Sequence, residues 1–195
     1  MRLKGLKVGF ALTGSFCTLN EVTEQIKRII QEGAEVIPII TREVATTDTR
    51  FGTAAYWKGL LKELTGHGVI ETIIGAEPIG PNRMLDVLVV APCTGNTLAK
   101  LANAITDGPV LMSIKAQLRN QRPVVMAIST NDGLGLNARN LGVLLNSKNI
   151  YMVPFGQDNP AAKPNSLVAK MDRLLDTILF AIEGKQIQPV LVNYA

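Results

Sequence analysis

The segment Asp86 to Gly108, DVLVVAPCTGNTLAKLANAITDG, constrains more than any other what this chain can fold into. Val87 to Val90 is an unbroken apolar run rich in β-branched residues, the pattern of a parallel strand covered on both faces. Pro92 predicts its end. Cys93, Thr94, Gly95, Asn96 and Thr97 follow, small and mostly able to hydrogen-bond, before Leu98, Leu101, Ala102 and Ile105 restart an apolar stripe at helical spacing. Strand, polar loop and helix in that order place backbone N–H groups at the carboxyl end of a strand, where open α/β sheets bind anionic ligands. The same residues also suit an ordinary cap and turn, so the reading depends on whether the pattern repeats.

It repeats three more times. Lys7 to Leu12 reads as a first strand, and Thr13-Gly14-Ser15 separates it from a helix carrying Val22, Ile26, Ile29 and Ile30, capped by Thr18 or Asn20 and closed by Gly33. Val36 to Ile40 is a second strand with Thr41 at its carboxyl end, and Pro38 points to a sheet edge or a strand end. Residues 45–52 read as loop, and Thr53 caps a helix through Leu64 that Gly66 ends. Residues 70–80 fit a short strand or a helix. Pro109 opens another helix to Leu118, and Pro123 to Ile128 is a strand ending in Ser129-Thr130-Asn131-Asp132-Gly133. A helix through Leu136, Leu141, Val143 and Leu144 follows, and Asn149 to Pro154 is the last core strand. Residues 155–163 look irregular, Ser166 opens an amphipathic helix that Gly184 ends, and residues 187–195 add an edge strand or dock elsewhere. Strands alternating with helices predict one domain over residues 1–195, an α/β/α sandwich with a doubly wound, mainly parallel sheet of flavodoxin- or Rossmann-like type.

Charge narrows the partners. The net charge is +4, but only 18% of residues are charged and 5% aromatic, without the basic and aromatic clustering that nucleic-acid binding needs. No apolar stretch has membrane-spanning length and the first residues run straight into a strand, which predicts a soluble, cytoplasmic protein. Two cysteines, Cys17 and Cys93, and a single histidine, His67, make neither a disulfide framework nor a metal centre. His67 lies between two glycines and reads as a solvated turn residue.

The strand-end loops therefore carry the chemistry. Thr13-Gly14-Ser15 lacks the three-glycine dinucleotide fingerprint, and Thr41-Arg42 stands where an acidic ribose ligand belongs, so NAD is disfavoured. A Walker A lysine pattern is also missing. A mononucleotide such as FMN fits better, its phosphate held by Gly14, Ser15 and Thr41 and the rest of the cofactor lying along Cys93, Thr94, Asn96 and Thr97. Arg50 offers a fork suited to a carboxylate.

The loop PCTGNTLAKLAN resembles the Pro-Ala-Ser-Ala-Asn-Thr motif of the flavoprotein family that includes the homo-oligomeric flavin-containing cysteine decarboxylases, and Thr13-Gly14-Ser15 resembles that family's phosphate loop. The segments LTGSFCT, TRFG, APCTGNTLAKLANAITDGPVLM, RPVVMAISTNDGLGLN, FGQDNPAAKPNSLVAKMD and QPVLVNY resemble, in the same order, the dipicolinate synthase B subunits of that family. The resemblance implies an FMN-type site and a homo-oligomer of three or more copies. It further implies an NADP-binding A subunit as partner, with which a dihydrodipicolinate-type dicarboxylate is oxidised to dipicolinate in a sporulating bacterial cell. Ile128-Ser129-Thr130-Asn131 keeps the asparagine of the family's Pro-x-Met-Asn clamp, which carries over to Asn131 as a carboxylate contact. No catalytic residue carries over, because the decarboxylases' histidine has no counterpart in Ala76-Glu77-Pro78-Ile79. Cys93 and Thr94 replace the Ala-Ser of the motif. The other readings are a non-catalytic scaffold with an empty flavin site, an FMN-dependent decarboxylase and a flavin prenyltransferase-like enzyme.

Overall fold

Five parallel strands make up the centre of the computed structural model, which describes residues 1–193. They are β1 (Lys7–Leu12), β2 (Glu35–Ile40), β3 (Val87–Cys93), β4 (Val124–Thr130) and β5 (Ile150–Met152). Their order across the sheet is β2-β1-β3-β4-β5, with all four pairings parallel. The chain thus builds outward from β1 to β2, then returns and builds the other way through β3, so the winding reverses between β1 and β3. Such a reversal opens a crevice at the carboxyl ends of the two strands. Every residue of β3 is buried, as its unbroken apolar run predicts for the middle strand. Pro38 sits on the edge strand β2, whose outer side meets only an isolated bridge at Ile70 among the described residues.

Among the described residues, eight helices connect and cover the strands: α1 (Leu19–Gln31), α2 (Arg42–Thr46), α3 (Ala54–Thr65), α4 (Ile73–Ala76), α5 (Gly95–Ala102), α6 (Pro109–Arg119), α7 (Asn137–Leu145) and α8 (Leu174–Ile182). The result is a single α/β domain with helices flanking a mostly parallel sheet. α1 and α8 pack on each other and on β3, while α6 lies along β2, β3 and β4. The predicted punctuation of α3 holds: the Thr53 hydroxyl accepts the Tyr56 N–H at 3.1 Å, and Gly66 closes the helix at φ 71°.

Several boundaries differ from the sequence reading, each for a local reason. β3 does not end at Pro92. It shifts register after Val90 and pairs again at Cys93 with Ile128, so the proline falls inside an irregular strand end where its missing N–H costs no ladder bond. Thr18, not Asn20, precedes α1, and its hydroxyl donates to the Ser15 carbonyl at 2.7 Å instead of capping. The first residues of the 45–52 loop belong to α2, and α5 stops at Ala102, leaving Ile105 outside and partly exposed. Leu136 lies just before α7 and is 93% exposed, so it is not a core position.

The largest departure follows β5. Residues 155–169 contain β6 (Phe155–Gly156) and β7 (Leu167–Ala169), an antiparallel pair in which β7 also pairs with the last residues of β4. β5 covers only the first half of that edge of β4, so Ser129 and Thr130 need another partner, and Leu167 and Val168 supply it. This pairing overrides the helical spacing after Ser166, and α8 starts only at Leu174. Within the tail, Leu191 forms an isolated bridge with Phe155; residues 194–195 lie outside the described residues.

Candidate functional site at the strand ends

Four polar strand ends meet on one rim, as the alternation predicts. Thr13 and Gly14 follow β1, Thr41 follows β2, Thr94 follows β3, and Thr130 and Asn131 lie at the end of β4. Between them runs a trough of two adjoining lobes that share Gly14 and Thr94 as lining residues. Lobe one, about 400 Å³, lies over β1, β2 and β3 beside Thr41, Asn96 and Thr97. Lobe two, about 500 Å³, extends over β4 past Ser15, Asn131 and Lys163.

The floor of the trough is fixed by side-chain bonds between strand ends. The fully buried Thr13 hydroxyl donates to the Pro92 carbonyl at 2.7 Å and accepts the Thr94 N–H at 3.0 Å. Thr94 then caps α5, its hydroxyl accepting the Thr97 N–H at 3.3 Å and lying 3.1 Å from the Thr97 hydroxyl. Ser15 and Ser129 share a hydrogen bond of 2.8 Å that straddles the end of β3. These bonds orient the first turn of α5, whose free N–H groups and dipole favour negative charge beside them.

Lobe one holds an unsatisfied group. The Thr41 Oγ1 is buried and has no hydrogen-bond partner, although Thr41 occupies the position before α2 where a hydroxyl ordinarily caps. Around it stand Arg42 and the ion pair of Lys100 with Asp107 at 2.6 Å. An acceptor-rich ligand group placed here would relieve the buried hydroxyl.

Lobe two is lined by three carboxylates, Glu21, Asp132 and Asp158. Asp132 is tied down by the Thr130 hydroxyl and by the Asn137 amide at 2.7 Å. Burial by itself raises the Asp158 pKa, but the Ser166 hydroxyl and the Lys163 ammonium outweigh it and hold the carboxyl below its usual range. Glu21, at the edge of the lobe, is shifted the other way by partial burial and by Asp172.

Of the residues named from the sequence, Gly14, Thr41, Thr94, Asn96 and Thr97 line lobe one, and Gly14, Ser15, Thr94 and Asn131 line lobe two. Ser15 and Thr41 therefore face different lobes. Cys93 is fully buried and lines neither; burial pushes its thiol up to about 12, leaving it protonated at neutral pH. Arg50 lies outside both lobes, its guanidinium 4.8 Å from the centre of the Phe51 ring. His67 pairs with Glu35 at 3.4 Å, at the amino end of β2 and so on the rim opposite the trough.

Sequence reasoning missed Asp158 and Lys163, in a stretch that reads as irregular, and Ser166, which reads as the start of a helix, and it missed the reason for Gly95. A Cβ there would lie 2.5 Å from Thr130 Oγ1, 2.6 Å from Asp132 Oδ1 and 2.7 Å from Asn137 Nδ2. Only glycine lets these side chains close against the start of α5.

The comparisons with known proteins agree with this architecture. The dipicolinate synthase B subunit of Bacillus subtilis (strain 168) is 55% identical over 193 residues, 98% of this chain and 96% of the relative. The crystal structure of the dipicolinate synthase B subunit from Bacillus halodurans C superposes with a TM-score of 0.91 at 52% identity, covering 99% of each chain. The FMN-dependent cysteine decarboxylase SpaF shares the fold, with a TM-score of 0.67 at 18% identity over 93% of this chain and 99% of its own. The Flavoprotein family model matches residues 1–180, and the chain, a homologue of the dipicolinate synthase B subunits, belongs to that family.

Proposed function

We propose that this chain is the B subunit of a dipicolinate synthase, with an FMN-type site in the trough, and that it oxidises a dihydrodipicolinate-type ring together with an NADP-binding A subunit. The observation that carries the flavin site is the orphaned Thr41 hydroxyl in lobe one, at the reversal of winding between β1 and β3. In doubly wound sheets of this strand order, that crevice is where FMN binds. Thr41, Gly14, Thr94, Asn96 and Thr97 would hold the group, and Ser15, Asn131 and the rest of lobe two would receive the substrate. FMN in such a site supplies a two-electron acceptor.

The chain's own residues bind, orient and exclude side chemistry. Asn131 offers an amide to a substrate carboxylate, and the first turn of α5 adds favourable potential for the negative charge. Cys93 stays out of the redox step, because a buried, protonated thiol is neither nucleophile nor electron donor. Without a dinucleotide fingerprint, NADP belongs on the partner. A decarboxylase reading is less well supported, since the only histidine stands on the far rim beside Glu35.

Dipicolinate formation with NADP tests the division of labour when run with this chain, with the A subunit and with the mixture. Steady turnover is expected from the mixture alone. Turnover by this chain alone contradicts it, and full activity of the A subunit alone reduces this chain to a scaffold.

A further inference from the structure

A planar ring with two carboxylates needs two anchors, and the sequence supplies candidates for only one of them in the trough. Asn131 lines lobe two, but Arg50 stacks on Phe51 outside both lobes. Lobe two is otherwise unfriendly to an anion, because Glu21, Asp132 and Asp158 all line it against the ammonium of Lys163. Resting on the dicarboxylate reading above, we propose that Lys163 holds the second substrate carboxylate in lobe two, with Asp158 and Ser166 as the residues that position it.

The surrounding loop is built to present that ammonium. Between β6 and β7, the Gln157 amide donates to the Pro164 carbonyl at 2.8 Å, and Asn159 takes the Ala162 N–H at 3.0 Å on its side chain and the Lys163 N–H at 2.7 Å on its carbonyl. The Leu134 N–H donates to the Asn165 carbonyl at 3.0 Å, which docks this loop on the one carrying Asn131 and Asp132. A Cβ at Gly133 would lie 2.7 Å from the Leu167 side chain, so the two loops approach as closely as a glycine permits.

Lys163 itself is not saturated. Its Nζ lies 3.4 Å from Asp158 Oδ2, longer than a close charge-assisted bond, and an ammonium has three donors. Its side chain is 54% exposed, whereas Asp158 is 19% exposed and Ser166 is buried. The exposed cation thus stands beside a largely buried carboxylate whose other oxygen, Oδ1, has no hydrogen-bond partner, and the other carboxylates of the lobe are accounted for: both Asp132 oxygens are bonded, and Glu21 sits at the edge by Asp172 and Lys170. Removing Lys163 leaves a lobe of carboxylates facing a dianion.

The test is calorimetric titration of the whole chain with dipicolinate and with picolinate, which has the same ring and one carboxylate. Wild type is expected to prefer dipicolinate, and Lys163→Met to lose that preference by roughly tenfold or more, the value of one hydrogen bond to a charged group. Lys163→Arg keeps it. Lys163→Met with an unchanged preference, or with both ligands weakened equally, overturns the assignment while leaving the dicarboxylate site standing. Wild type that binds neither ring overturns the parent reading and this one together.

Discussion

Thr13 and Thr94, at the ends of neighbouring strands, are joined by a bond of 3.0 Å in which the buried Thr13 hydroxyl accepts the Thr94 N–H. The same hydroxyl donates to the Pro92 carbonyl, so one side chain just past β1 satisfies the two backbone groups that the irregular end of β3 leaves free. Thr13→Val keeps the shape and strands both groups, which should lower stability by roughly 1–3 kcal/mol. Urea unfolding measures the loss, and Thr13→Ser should recover most of it.

Gly95 and Gly59 make a matched pair for the neighbouring contact. Gly95→Ala forces a methyl against the Thr130, Asp132 and Asn137 side chains, so a destabilisation of roughly 1–3 kcal/mol is expected, as for other overpacked sites. Gly59 lies within α3, exposed and with open space around it, so Gly59→Ala should instead stabilise by about 0.5–1 kcal/mol. Thermal unfolding of the two variants should move in opposite directions.

The two thiols should separate cleanly. Cys17 is exposed and Cys93 is buried with its pKa pushed up to about 12. Maleimide at pH 8 is expected to modify one thiol of the native chain and both in denaturant, and Cys17→Ser should abolish the native reaction. Fast native labelling of Cys93 would show that the end of β3 opens readily.

The strand-and-loop alternation made the parallel sheet and its polar rim legible, because β1, β3 and β4 are apolar runs that only a covered strand explains. Thr41 and Thr94 were legible for the same reason: each is the first polar residue after such a run. What was not legible depends on pairing at a distance. Nothing local marks Leu167 to Ala169 as a strand, since their partner is the uncovered edge of β4 left by a β5 of three residues. Lys163 entered the site only with that hairpin. Arg50, the fork offered for a carboxylate, lies outside both lobes with its guanidinium 4.8 Å from the centre of the Phe51 ring.

Acid should release the amino-terminal segment before the core. Glu32 is held down from its ordinary 4.5 to about 2, chiefly by the Arg2 side chain and then by the Arg2 backbone N–H. A carboxyl depressed on folding stabilises the native state above its unfolded pKa, and the contribution is lost as pH falls through the folded value. The advantage of wild type over Glu32→Gln should therefore be complete above pH 4.5, shrink below it and vanish near 2. Parallel urea titrations at each pH measure it, and a difference that does not change with pH would contradict the pairing.

The central claim, a flavin held at the reversal of winding, is tested most directly by titrating FMN with the purified chain and following flavin fluorescence. The wild type is expected to quench FMN to a defined stoichiometry. Thr41→Val, which removes the buried unpaired hydroxyl of lobe one and little else, should weaken binding by roughly tenfold or more. Thr46→Ala, an exposed change in the same short helix, should leave the affinity alone. A chain that leaves FMN fluorescence unaltered, or a Thr41→Val variant that binds FMN as tightly as wild type, would contradict the account.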